Sequence, residues 1–130
     1  MQEIIVPISP GELLDKITIL RIKSARMRDA AKLANVRHEL ALLEGTWQRS
    51  VPAGVDLAAD ERALEGVNAS LWDIEDQIRE EELAQRFGAR FIELARAVYV
   101  TNDERAAIKK RINTALGSAL IEEKSYQPYR

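Results

Sequence analysis

The chain has 130 residues, with 19 Lys and Arg against 21 Asp and Glu, a single His and no Cys. That length holds one domain around one core, 46% hydrophobic residues suit a folded protein, and a net charge of -2 argues against generic nucleic-acid binding. Without Cys there is no disulfide scaffold, thiol catalysis or thiolate metal site, and a His-based zinc site or a Ser-His-Asp triad would rest on His38 alone.

Residues 1–8 read as a short extended segment. Ile4, Ile5 and Val6 favour extension, and Pro7 limits them to an edge strand. Glu3 and the lack of a basic lead exclude a signal peptide here, and no apolar run approaches a membrane span. The expectation is a cytoplasmic protein with no membrane partner.

Ser9-Pro10-Gly11-Glu12 forms a capping box, with Ser9 as N-cap, Pro10 at the first helical position and Glu12 reaching back to the Ser9 amide. Leu13, Ile17, Leu20, Ser24 and Met27 continue as a helical stripe. The stripe loses phase over residues 28–32, then resumes with Leu33, Val36, Leu40, Leu43 and Trp47. The spacing predicts a break there, with Asp29 capping a second helix, or else a kink. Residues 49–60 carry Pro52 and Gly54 and read as a loop. A third seam follows through Leu64, Val67, Leu71, Ile74 and Ile78. Gly88 separates it from a short helix with Phe91, Leu94 and Val98. Thr101 to Glu104 reads as another capping box, opening a helix with Ile108, Ile112 and Leu116 that stops at Gly117. Residues 119–130 form a polar tail, ordered only if Tyr126 docks. Residues 1–130 are thus expected to be one all-α bundle of four to five helices.

Three groups of polar residues break the apolar pattern. On the first helix, Ile19 and Ile22 lie opposite the Leu13–Leu20 stripe, sharing their face with Glu12, Asp15 and Arg26, while Lys16 and Lys23 run along its border. Such a face is covered by a neighbouring helix or by a partner, so Glu12, Asp15, Lys16, Ile19, Ile22 and Arg26 form a candidate dimer interface. On the third helix, Glu75 falls beside Leu64 and Leu71 with Asn68, Trp72 and Arg79 around it, and Arg79 is four residues away to pair with it. On the last helix, Arg105 lands in the apolar arc near Asn102. Asn68, Trp72, Glu75, Arg79, Asn102 and Arg105 therefore form either a satisfied buried polar cluster or a site for a small anionic ligand. A direct or water-bridged contact between Glu75 and Arg105 is expected in both cases. Asp73, Asp76 and Glu80 share an outward face, read as solvated. No metal site and no cofactor is predicted.

The blocks SPGELLDKITIL (9–20), KLANVRHELALL (32–43), LWDIEDQIR (71–79), FIELARAVYVTNDERAAIKKRIN (91–113) and EEKSY (122–126) together resemble a family of short bacterial proteins of unknown function. The resemblance spans nearly the whole chain and implies no reaction, ligand or catalytic residue. LLDKITILRIKSARM is also similar to the first helix of the all-helical chorismate mutases, but Thr18 stands where that pattern wants an acid, and the spacing to Arg26 departs from it.

Two functions follow from different classes. No nucleophile–base pair, metal cage or phosphate loop can be assembled, which favours a non-enzymatic interaction or scaffold module with a protein partner, most simply a second copy. The alternative is a binder of, or enzyme acting on, a small anionic metabolite, with Arg79 and Arg105 as clamps. The two differ in whether Asn68, Glu75, Arg79 and Arg105 line a concavity or fill a core.

Overall fold

The computed structural model describes residues 1–130 and contains four helices and no strand. The first, α1 (Pro10–Arg26), starts where the sequence places it: Ser9 Oγ accepts from the Glu12 amide at 3.2 Å, and Pro10 fills the first turn. The Glu12 carboxylate does not return to Ser9. It reaches across to Lys109 instead.

The phase loss is a break rather than a kink. Residues 27–29 leave the helix, and Asp29 Oδ1 accepts from the Lys32 amide at 2.9 Å to cap α2 (Ala30–Ser50). The following loop is shorter than expected. Arg49 and Ser50 remain helical, and Asp56 Oδ1 accepts from the Ala58 amide at 3.0 Å, so α3 (Ala58–Leu83) starts early.

Gly88 opens α4 (Ala89–Ala115), which runs through residues 101–104 without interruption. The second capping box is therefore corrected to helix interior. No Gly or Pro lies between Ala89 and Ala115 to release the backbone, and Asn102 turns its side chain to Arg105 rather than to an amide. Gly117, at φ +62°, closes the helix as expected: its amide donates to Thr114 O at 3.1 Å, and that of Ser118 to Asn113 O at 2.9 Å. The same closure ends α3, with Gln85 forced to φ 56°.

Helix α1 is the hub, touching α2, α3 and α4, whereas α2 touches only α1. Helices α3 and α4 pair antiparallel, as the Asp60–Arg111, Asn68–Arg105 and Gln77–Arg90 contacts show. The core joins Leu14, Leu57, Leu64, Ile108 and Ile112, with Trp47, Val67 and Leu116 packed around it. Gly11 lets α1 come against α4. Its amide donates to Asn113 Oδ1 at 2.7 Å, and a Cβ there would lie 2.5 Å from Lys109 O. Beyond the end of α1, the α3–α4 turn leaves Leu83, Phe87 and Ile92 exposed.

Residues 1–8 belong to no helix or strand, and Ile4, Ile5 and Val6 are exposed. The tail docks through Tyr129 rather than Tyr126. Tyr129 OH donates to Asp103 Oδ2 at 2.7 Å, and its ring meets Tyr99 edge-on at 4.9 Å, while Tyr126 stays exposed. No helix is long and apolar enough to cross a membrane.

Candidate functional site

The most unusual feature of the interior is polar. Helix α1 turns Asp15 and Thr18 inward, where both are buried, and α3 presents Asn68 to them. The Asn68 amide nitrogen donates to Asp15 Oδ1 at 2.8 Å and to Thr18 Oγ1 at 3.0 Å, and the Thr18 hydroxyl donates to Asp15 O at 2.9 Å. Asn68 Oδ1 accepts in turn from Arg105 on α4 at 3.4 Å. One amide thus links three helices, donor side toward the carboxylate and acceptor side toward the guanidinium. No buried side-chain nitrogen or oxygen lacks a hydrogen-bond partner.

Lys109, one turn beyond Arg105, gathers the acids. Its ammonium lies 2.5 Å from Glu12, 3.1 Å from Glu122 of the tail and 3.8 Å from Asp15. Burial alone would push its pKa down, but the bonds to Glu12 and Glu122, with Asp15 behind them, overcome this and raise it. Glu122 is held below the usual carboxylate range, chiefly by Lys124 and then by Lys109.

Arg105 differs from Lys109 in having no carboxylate within ion-pair distance. Its side-chain acceptors are two neutral amide oxygens, Asn102 Oδ1 at 2.8 Å and Asn68 Oδ1 at 3.4 Å. The guanidinium borders an open groove of about 730 Å³ between α1, α3 and α4, lined by Ile19, Lys23, Asn68, Leu71, Trp72, Glu75, Asp76, Arg79, Asn102 and Arg105. All six residues of the expected polar cluster border this groove. Glu75 and Arg105, however, make no direct contact. Glu75 pairs with Arg79 at 3.3 Å on the exposed rim, and Arg105 turns to the two asparagines. A neighbouring hollow of about 360 Å³ shares Asn102 and Arg105 and is walled by Tyr99, Lys109, Lys124 and Tyr126.

The face proposed as a dimer interface is largely used inside the chain. Asp15 and Ile22 are buried, Glu12 binds Lys109, and Ile19 lines the groove. Arg26 pairs with Asp73 at 2.6 Å and lies 5.9 Å from the centre of the Trp72 ring, leaving Lys16 exposed. The α1 helix has two apolar sides because α2 occupies one direction and α3 with α4 the other. Sequence reasoning passed over Thr18, Lys109 and Asn113. Thr18 was detectable, since a hydroxyl one turn from Asp15 on a helix is the local partner that a buried carboxylate needs.

A family model described as a family of unknown function, DUF6165, matches residues 4–129. The chain belongs to this family. Membership in DUF6165 agrees with the uncharacterised family that the sequence blocks resemble, and it carries no ligand or reaction. No curated protein and no solved structure matches the chain.

Proposed function

We propose that this DUF6165 protein binds a small organic anion in the groove between α1, α3 and α4, with Arg105 as the anion fork. One observation carries the reading: a half-buried guanidinium opening onto the groove is held by neutral amides and lacks a counter-charge. Asn68 and Asn102 hold the fork in place without neutralising it. Leu71, Trp72 and Ile19 offer an apolar floor for the rest of the ligand. The reading is of binding and includes no reaction. Following the resemblance of the sequence blocks, we place it in the bacterial cytoplasm.

The test is thermal unfolding against a panel of organic carboxylates and phosphates. A ligand at about a hundred times its Kd should add about 2.7 kcal/mol of stability, readable as a shift of several degrees. Arg105→Ala should weaken that ligand by about tenfold or more, the cost of a hydrogen bond to a charged group. A panel without any shift, or a shift unchanged in Arg105→Ala, refutes the reading.

The interaction-module reading keeps one supporting observation, the exposed Leu83, Phe87 and Ile92 at the α3–α4 turn. Sedimentation at micromolar concentration tests it: self-association abolished by Leu83→Glu favours this second reading, and a strict monomer opposes a dimer.

A further inference from the structure

Five charged side chains line the groove: Lys23, Arg79 and Arg105 against Glu75 and Asp76. Glu75 and Arg79 satisfy each other on the rim. Of the remaining cations, Arg105 has only amide partners, and the Lys23 ammonium has neither an ion pair nor a side-chain hydrogen bond, although Lys23 is half-buried. The two stand on different helices, Lys23 on α1 and Arg105 on α4, and Leu71 and Trp72 of α3 line the same groove. A molecule of net charge -2 thus keeps two uncompensated cations on one concave surface. The cations elsewhere that lack a carboxylate partner are all exposed, whereas Lys23 and Arg105 are half-buried.

We propose that the ligand of this groove is an organic dianion, a dicarboxylate or its phosphate-bearing equivalent, gripped at one end by Arg105 and at the other by Lys23, with an apolar or planar middle over Leu71 and Trp72. The proposal rests on the anion-binding reading above and adds its second anchor. Arg105, held by two asparagines, fixes one end. Lys23, on a flexible stem, selects for the presence of a second charge more than for its exact position. Asp76 is the one lining acid without an ion pair. It is exposed, so it repels the second anionic group only weakly through solvent, and Asp76→Asn should tighten a dianion more than a monoanion.

The experiment is calorimetric titration of the full chain with straight-chain dicarboxylates from succinate to suberate, each paired with the monocarboxylate of the same length. The best dicarboxylate should bind about fivefold more tightly than its partner, the upper range for a solvent-accessible ion pair. Lys23→Gln should erase that advantage while leaving the monocarboxylate within about twofold of its original affinity, and Lys23→Arg should keep the advantage. Circular dichroism of both variants checks that α1 is intact. Equal binding of mono- and dicarboxylates, or an advantage that survives Lys23→Gln, overturns the dianion while leaving Arg105 as an anion site. Failure of every carboxylate, with no shift from any phosphate, overturns both readings.

Discussion

At the scale of single residues, Asn68 decides more than any charged group. It gives Asp15 its amide donor, and the next group, the Lys109 ammonium, is 3.8 Å away. Asn68→Ala should therefore cost about 2–3 kcal/mol in urea denaturation, because a buried carboxylate and hydroxyl lose their donor together. A loss below about 0.5 kcal/mol would mean that water replaces the amide at no cost. Gly11 and Gly66 should respond in opposite directions to the same change. At Gly11 an added methyl meets Lys109 O and Asn113 Oδ1 at 2.5 and 2.8 Å, with backbone that cannot swing aside, so Gly11→Ala should cost about 1–3 kcal/mol. At Gly66, inside α3, nothing lies within 4 Å, and Gly66→Ala should stabilise by up to about 1 kcal/mol.

At the scale of elements, the boundaries written in local chemistry were legible and the interruptions were not. Ser9, Asp29, Gly88 and Gly117 each end or begin a helix by what their own side chain or backbone does, and sequence shows that directly. Thr101 to Glu104 carries the same letters as a true cap, yet Val98, Tyr99 and Val100 before it are already helical and nothing stops them. Gln85 is the converse. It takes the left-handed position that Gly117 fills in α4, without a glycine to mark it. Gln85→Gly should raise stability by about 1 kcal/mol, measured by thermal unfolding, since the Cβ penalty disappears. Helix α2 rests on α1 alone and buries only Val36. Its amides should exchange with solvent well before those of α1, α3 and α4, and uniform protection across all four helices would count against this.

At the scale of the whole molecule, the groove was legible as a set of residues and not as a set of pairings. Helical phase alone brings Asn68, Trp72, Glu75 and Arg79 to one side of α3, so the lining could be read. Which acceptor Arg105 takes depends on the α3–α4 register, and that placed Asn68 rather than Glu75 opposite it. Long-range charge also governs the tail. Lys124 and Lys109 depress Glu122, so its contribution is complete above the ordinary carboxylate range and is lost as pH falls through its lower folded value. Lys109 is raised, so its share is complete below the ordinary lysine range and is lost as pH rises through the higher folded value. Tail docking should be level from about pH 5 to about pH 10 and weaken below and above. Proteolysis of the last ten residues across pH 3 to 6 checks the acid limb (rates independent of pH would refute it).

The bond between Gly11 and Asn113 joins residues 102 positions apart, and the hub helix is made first. At about 5–20 residues per second, α1 spends several seconds outside the ribosome before α4 arrives to receive it. During that interval Leu13, Leu14 and Ile17 have α2 and then α3 to lean on, but not Ile108 and Ile112 of α4, which complete the core. A chain released at Gly88 should accordingly be cut readily by protease along α1, while the full chain is not. For this fold the vulnerable period is nascent, and it ends only when the last helix emerges.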